Sequence, residues 1–257
     1  MVKTFFKGLY TFAVYVFLYA PLIITIVFSF NKSRYSVAWE GFTTQWYGKM
    51  IQNTGLLDSA INSLFLAATA ATVATVIGTV TAVALHRYRF IGQKVVYGSL
   101  SVIMMSPEII MAISLVMLFV ILGIPLGFTT LLLSHTVFCF PFVTMTVLAR
   151  LKGFNKHLVE AAADLGASEV DIVRRILIPL LLPAILAGWL MSFTLSIDDV
   201  IISFFVNGPS YEILPLKIYS MVRTGVKPDI NALCAVLFTL TFTVVMVSYC
   251  LVKEKKS

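Results

Sequence analysis

Long apolar runs alternate with short polar connections along most of this chain. An α-helix of about 20 residues crosses a hydrocarbon layer ~30 Å thick, and each run reaches or exceeds that length. The pattern therefore predicts an all-α integral membrane protein with six transmembrane helices. Their approximate bounds are 9–30, 61–85, 95–122, 128–149, 181–205 and 232–252.

The first run follows Lys3 and Lys7, as the apolar core of a signal peptide would. It is longer than such a core, and no small-x-small cleavage site stands before the polar residues 31–34. We therefore expect it to be a retained transmembrane helix.

The composition excludes an ordinary soluble protein. Of the 257 residues, 59% are hydrophobic and 12% are charged, whereas soluble chains carry roughly 25% charged residues. The mean hydropathy is +0.95. The formal charge of +7 comes from basic residues dispersed between the apolar runs, without the basic face that nucleic-acid binding needs.

The basic residues predict an orientation. With six helices and a cytoplasmic N-terminus, 13 of the 19 Lys and Arg residues lie on the cytoplasmic side, which agrees with the positive-inside bias. Both termini are then cytoplasmic. We expect an N-terminal transmembrane helix and periplasmic segment at 1–58, a transmembrane domain at 59–249 and a cytoplasmic tail at 250–257.

The cytoplasmic connection 150–180 is long enough to carry a function of its own. Its pattern predicts a helix at about 156–164 that ends before Gly166, because glycine suits the left-handed residue after a helix. Ser168 is the predicted N-cap of a second helix. That helix carries an apolar stripe of Val170, Val173, Ile176 and Leu177. The alternative is an amphipathic helix that lies on the membrane surface.

Residues 160–179 fit the pattern E-A-A, three residues, G, nine residues, I-x-L-P, with Ile178 in place of the leucine. The loop resembles the signature of the permease subunits of binding-protein-dependent ABC importers. That resemblance implies a type I ABC importer (MetI-like) permease fold in the bacterial inner membrane, and a coupling helix that docks into an ATPase subunit. The implied coupling residues are Glu160, Ala161, Ala162 and Gly166. We add Glu169, which lies in the first turn of the second helix.

The chain carries no G-x-x-x-x-G-K-[ST] motif for nucleotide binding. We therefore expect a transport subunit and not an enzyme. In this interpretation the chain itself binds no cofactor, and ATP and Mg are used by the partner ATPase.

Three acidic residues, Glu108, Asp198 and Asp199, fall inside predicted spans. A carboxylate at the bilayer centre costs about 2.5–3.5 kcal/mol on insertion scales, so such residues are candidates for a substrate pathway. Pro107 predicts a kink beside the first of them. The two aspartates point about 100° apart on a helix, so which one faces the pathway stays open, as does their depth.

Three further polar or aromatic residues lie near these acids or at the outer side. Ser196 offers a hydroxyl two residues before Asp198, and Trp46 in the outer segment offers a ring for cation–π contact. We expect His135 to be a hydrogen-bond partner inside the helix bundle. The predicted pathway residues are Trp46, Glu108, Ser196, Asp198 and Asp199.

Carboxylates along a pathway favour a flexible cationic substrate. Segments 30–34, 41–47, 105–108 and 196–221 resemble the permease subunits of bacterial spermidine/putrescine importers. The resemblance implies polyamine transport with a second related permease, an ATPase dimer and a periplasmic polyamine-binding protein as partners.

Other functions are compatible with parts of the pattern. Within the importer class, the alternative is another cationic or amine solute. A secondary transporter or channel would use the intramembrane acids to relay ions or protons. A membrane enzyme is a third alternative, but His86, His135 and His157 form no HExxH motif or other metal-binding spacing.

Overall fold

The computed structural model describes residues 2–33, 38–153, 157–223 and 228–254. Among the predicted features, Arg34, Lys156 and the end of the tail at 255–257 lie outside the described residues. The described chain is almost entirely helical, which confirms the predicted all-α class. In this part of the chain, β pairing is limited to one isolated bridge between Asn31 and Phe42.

The helices occur in the following order. The first six are α1 (Val2–Phe28), α2 (Gln45–Gln52), α3 (Thr54–Arg87), α4 (Gln93–Met105), α5 (Glu108–Ile121) and α6 (Phe128–Lys152). The others are α7 (His157–Asp164), α8 (Glu169–Asp171), α9 (Ile178–Asp198), α10 (Ile201–Val206), α11 (Leu214–Arg223) and α12 (Pro228–Glu254). A π-helical turn, Ile172–Leu177, joins α8 to α9.

Within the described residues, four helical segments are long and apolar enough to cross a membrane. They are Lys7–Phe28, Thr54–Arg87, Phe128–Lys152 and Glu169–Asp198. The pair α4 and α5 adds a fifth if it forms one broken span. The last predicted run lies in α12, whose fully described part contains the shorter apolar helix Pro228–Thr239. The count of six spans therefore stays a prediction.

The predicted third helix, 95–122, is interrupted at Ser106 and Pro107. Both residues have extended backbone, with ψ of 136° and 130°, because proline disfavours helical conformation in the residue before it and cannot donate a hydrogen bond itself. α4 and α5 are bent by 112°. The kink at Pro107 is thus confirmed, and it divides the predicted third helix into two.

The fifth span begins earlier and ends earlier than the predicted 181–205. The segment Glu169–Asp198 is helical throughout, so the second helix of the cytoplasmic loop continues directly into the span. Its π turn brings Ile172 and Leu177, which lie five residues apart, onto the buried face. Of the predicted apolar stripe, Leu177 is buried, whereas Val170 is 72% exposed.

The chain forms two compact units, which are described separately. The first contains Met1–Leu57 and Lys217–Ser257. In this unit α12 packs against α1 and α2. Its outer segment is organised by the buried side chain of Asn31, whose amide donates to Ala38 O at 2.6 Å and accepts from Glu40 N at 2.9 Å.

The second unit contains Asp58–Leu216. Three of its helices, α3, α6 and α9, approach closely at two glycines. A Cβ added to Gly78 of α3 would lie 2.7 Å from Val143 Cβ of α6, and one added to Gly188 of α9 would lie 3.0 Å from Val143 Cγ1. Small residues allow such approach of helices in lipid, where packing rather than water exclusion drives their association.

Candidate functional site

The two neighbouring aspartates occupy opposite environments at the end of α9. Asp198 is the last residue of the helix, and its side chain is exposed. Asp199 leaves the helix with φ −69° and ψ 124°, and it is only 6% exposed. The predicted divergence of the pair is therefore present, and Asp198 is the one whose carboxylate is open to a ligand.

The carboxylate of Asp199 is satisfied by the start of α10. Oδ1 accepts from Ile202 N at 3.2 Å, and Oδ2 accepts from Ser203 N at 2.8 Å and from Ser203 Oγ at 2.7 Å. These bonds occupy backbone N–H groups that have no partner within the helix itself. Asp199 thus stabilises the point where the chain becomes helical again.

His135 of α6 completes a buried polar network with these residues. Its Nδ1 lies 2.6 Å from Ser196 Oγ and its Nε2 lies 2.9 Å from Ser203 Oγ. Nε2 also lies 3.5 Å from Asp199 Oδ2. His135 is fully buried, so the structure bears out its expected role as a hydrogen-bond partner inside the bundle.

The donors and acceptors in this network can be assigned from their chemistry. Ser203 Oγ donates its single hydroxyl hydrogen to Asp199 Oδ2. Nε2 of His135 then donates to Ser203 Oγ, and in the neutral imidazole Nδ1 accepts the hydroxyl hydrogen of Ser196. The hydroxyl of Ser196, a predicted pathway residue, is therefore hydrogen-bonded to His135 within this network.

Glu108 is the first residue of α5, directly after the break at Pro107. Its side chain is exposed, and an acidic residue in the first turn of a helix complements the helix dipole. The break explains how an acidic residue is accommodated near the middle of a long apolar run. Like Asp198, it offers an open carboxylate in the second unit.

Trp46 supports the outer segment of the first unit. The ring is buried, and its Nε1 donates to Asn31 O at 2.7 Å. Lys49 Nζ lies 4.4 Å from the ring centroid, in a cation–π contact. One face of this ring is thus occupied by a lysine. Stacking of a substrate on Trp46 stays a prediction.

The segment after α10 is fixed against α3 inside the second unit. Tyr211 Oη donates to Asn62 O at 2.9 Å, and Leu214 N donates to Ser63 Oγ at 2.7 Å. Burial raises the pKa of the Tyr211 phenol above its ordinary value, so the hydroxyl keeps its proton at neutral pH. A Cβ at Gly208 would collide with Leu126 O, so only glycine fits there.

The cytoplasmic loop forms the predicted helix–turn–helix knob. Gly166 has φ +82°, and Ala167 N donates to Ala162 O at 3.0 Å, which is the Schellman end of a helix. Ser168 then caps the next helix, because its Oγ accepts from Asp171 N at 3.2 Å. Both local predictions are confirmed.

The coupling residues differ in what they present to solvent. Glu160, Ala161 and Gly166 are exposed, whereas Ala162 packs against the core of the second unit. The Glu160 carboxylate lies 3.0 Å from His157 Nδ1. Near it, Leu158 is 50% exposed and Leu165 is 89% exposed, so the knob presents apolar side chains beside a carboxylate.

Glu169 forms an ion pair that the sequence pattern did not indicate. Its Oε2 accepts from Arg87 Nε at 2.7 Å and also lies 2.7 Å from an Arg87 terminal nitrogen. Arg87 ends α3, and no local spacing connects it with a residue 82 positions away. Ser203 was also missed, although an aspartate three residues before Ile202 is a recognisable helix-capping signal.

No three His, Cys, Asp or Glu side chains come together as metal ligands among the residues that the structure describes. The described residues offer two exposed carboxylates, Asp198 and Glu108, a buried network next to Asp198, and one cytoplasmic knob. The carboxylates can attract a cation, and the knob can contact a second protein.

Residues 74–253 match the family described as binding-protein-dependent transport system inner membrane component. The chain belongs to this family of inner-membrane permeases, and it is a transport subunit and not an enzyme. It is 55% identical to the spermidine/putrescine transport system permease protein PotC of Escherichia coli (strain K12), over 99% of this chain and 97% of that protein. It is 38% identical to the putrescine transport system permease protein PotI of the same organism, over 87% of this chain and 82% of that protein.

Solved structures confirm the permease fold. A chain of a bacterial ABC transporter that imports the acidic polysaccharide alginate superposes with a TM-score of 0.74 at 15% identity, over 98% of this chain and 96% of that chain. A chain of the MetNI methionine ABC transporter superposes with a TM-score of 0.62 at 20% identity, over 79% of this chain and 96% of that chain. At these identities the likeness concerns the fold alone.

Proposed function

We propose that this chain is a permease subunit of an ATP-driven importer that carries spermidine and putrescine across the inner membrane. The observation that carries the proposal is the 55% identity with PotC over 99% of the chain. The similarity to PotI over 87% of the chain supports the same substrate class. The runner-up is another cationic or amine solute handled by the same machinery.

The exposed carboxylates fit a substrate with several ammonium groups. Asp198 and Glu108 are both exposed, each beside a break between two helices, and neither is ion-paired with a residue that the structure describes. A carboxylate in a poorly hydrated passage attracts an ammonium group more strongly than in bulk water. Ser196 and Asp199 contribute to the pathway by shaping its wall, and Trp46 contributes at the outer side.

The cytoplasmic knob is the proposed contact with the ATPase pair. Glu160 offers its carboxylate to basic groups of that partner, and Leu158 and Leu165 offer apolar surface beside it. Because α7 ends at Asp164 and the next helix continues into the fifth span, a displacement of the knob is transmitted to a helix that reaches Asp198. Glu169 and Arg87 link this base to α3.

The complete importer then contains four kinds of protein. This chain pairs with a second related permease, since its carboxylates are open in the single chain and need a facing wall. An ATPase dimer supplies the energy, and a periplasmic polyamine-binding protein delivers the substrate. Both termini of this chain lie on the cytoplasmic side, in agreement with the charge bias of its loops.

The test is uptake of radiolabelled spermidine by cells that lack their own polyamine importers and express this chain with its co-encoded subunits. We expect ATP-dependent uptake that is lost when the ATPase subunit is omitted. Uptake that persists without any ATPase would identify a secondary transporter instead. Uptake of another amine, without competition by polyamines, would favour the alternative that this importer carries a different amine solute. Uptake by this permease without a second permease would contradict the proposed heterodimer.

A further inference from the structure

The buried histidine of α6 and the helix break that presents Asp198 are joined in one hydrogen-bonded network. We propose that His135, acting through Ser203, is a positioning residue. It stabilises the break between α9 and α10 and so keeps the Asp198 carboxylate directed into the substrate pathway. The inference rests on the proposed function for the identity of the ligand. The effect of His135 and Ser203 on the position of Asp198 does not depend on which ligand is transported.

The first step is the distance that one imidazole ring bridges. His135 bonds to Ser196 at 2.6 Å and to Ser203 at 2.9 Å, and these serines lie seven residues apart in sequence. An unbroken α-helix would separate them by about 10.5 Å along its axis. One imidazole with two hydrogen bonds cannot reach that far, so this pair of bonds is compatible only with an interrupted helix.

The second step is the path from the ring to the aspartates. Ser203 Oγ donates to Asp199 Oδ2 at 2.7 Å, and the same carboxylate oxygen accepts Ser203 N at 2.8 Å. His135 therefore fixes the hydroxyl that fixes Asp199 in its buried position. Because Asp199 is held inward with extended backbone, the residue before it is directed to the exposed side.

The third step is what the pathway loses without the network. Ser196, Ser203 and His135 are all buried, and buried polar groups that lose their partners tend to rearrange until they find others. Restoring a regular helix through 199–200 would rotate the end of α9 and move the Asp198 carboxylate. Disruption should therefore weaken binding of the cation more than it slows the transport cycle.

The experiment compares His135→Phe, which keeps a ring of similar size without hydrogen bonds, with the pair Ser203→Ala and Ser203→Thr. Ser203→Thr keeps the hydroxyl and serves as the conservative variant. The matched control is Ser192→Ala, because the Ser192 hydroxyl is buried on α9, the helix that ends at Asp198, and has no hydrogen-bond partner among the described residues. Spermidine uptake is measured at matched membrane levels to give KM and the maximal rate separately.

A second measurement reports on position without any polyamine. Asp198→Cys is introduced into the parent and into each variant of the assembled complex, and its rate of reaction with a small cationic methanethiosulfonate is measured. The parent without Asp198→Cys gives the background of the native cysteines. This arm keeps its meaning if the complex proves to carry a different solute, so failure of the proposed function is distinguishable from failure of the inference.

We expect His135→Phe and Ser203→Ala to raise KM by about tenfold, the equivalent of one lost hydrogen bond, with the maximal rate nearly retained. The reaction rate at Asp198→Cys should change by a similar factor. Ser203→Thr and Ser192→Ala should behave like the parent in both measurements. If His135→Phe and Ser203→Ala alter only the amount of assembled complex, while KM and the cysteine reaction rate stay at parent values, the network is merely structural and the inference is overturned.

Discussion

The guanidinium of Arg87 donates to the carboxylate of Glu169 at 2.7 Å, although the two residues lie 82 positions apart in the chain. Arg87 is the last residue of α3, and Glu169 is the first residue of α8. Tyr88 Oη lies 3.4 Å from the same carboxylate oxygen. The end of one transmembrane segment is thus tied to the base of the cytoplasmic knob.

Reversing the charge at either residue should weaken this tie without unfolding the chain. Glu169 is 63% exposed at its side chain, and exposed ion pairs stabilise proteins by no more than about 1 kcal/mol. We therefore expect Arg87→Glu and Glu169→Arg each to lower uptake by up to about fivefold at unchanged membrane level. The double reversal should recover most of the loss. The pair has no part in transport if both single variants carry spermidine at the parent rate.

Neutralising the two aspartates should separate a pathway role from a structural one. Asp198→Asn should cut uptake severely, by about tenfold or more if it removes a charge-assisted contact, with no loss of thermal stability. Asp199→Asn should instead destabilise the complex by about 1–3 kcal/mol, because an amide has one accepting oxygen, so that either Ile202 N or the buried Ser203 N loses its acceptor. Thermal unfolding of the purified complex and uptake at matched levels check both. Parent-like stability of Asp199→Asn would contradict the assignment.

Sequence predicts the local features of the site but not which of its two aspartates is buried. The pattern of apolar runs predicts the helices, and the local chemistry of Gly166, Ser168 and Pro107 predicts turns and breaks, because those effects act within a few residues. Which of Asp198 and Asp199 is buried depends on Ser203 and on His135, which lies far away in the chain. The sequence of α9 alone therefore left the question open.

The same reasoning applies to the cytoplasmic loop. The E-A-A-x₃-G pattern predicts the knob, and the structure confirms its helix end and cap. The π turn at Ile172–Leu177 has no simple sequence signal, since an α-helical period gives almost the same apolar positions. The partner of Glu169 could be found only in three dimensions, because Arg87 lies 82 positions away in the chain.

Gly166 offers a test of the knob itself. Its φ of +82° costs a residue with a Cβ roughly 1–2 kcal/mol, while no atom lies close enough to exclude a side chain. Gly166→Val should therefore insert normally but distort the knob, so that ATP hydrolysis continues while uptake falls. Gly166→Asn is the matched control, because asparagine tolerates this backbone conformation better than other residues with a Cβ. Normal uptake by a well-expressed Gly166→Val would show that the turn is dispensable for coupling.

The contact of α3, α6 and α9 provides a test of how the second unit packs. A Cβ at Gly78 would lie 2.7 Å from Val143 Cβ and 3.0 Å from Phe140 O, whereas a Cβ at Gly188 would meet Val143 Cγ1 at 3.0 Å. Gly78→Ala should therefore force backbone movement and destabilise the complex by about 1–3 kcal/mol. Gly188→Ala should cost less, because a side-chain methyl can shift.

A second substitution distinguishes the two glycines. Val143→Ala removes the Cγ1 atom that opposes Gly188 and keeps the Cβ atom that opposes Gly78. In combination with Gly188→Ala it should show a favourable interaction energy, and with Gly78→Ala a much smaller one, since the clash with Val143 Cβ and Phe140 O persists. Gly98→Ala is the matched control in α4: nothing lies within 4 Å of its added Cβ, so we expect a gain of about 0.5–1 kcal/mol. Thermal unfolding of each purified complex measures all six variants, and equal interaction energies for the two pairs would contradict this packing of α6 between α3 and α9.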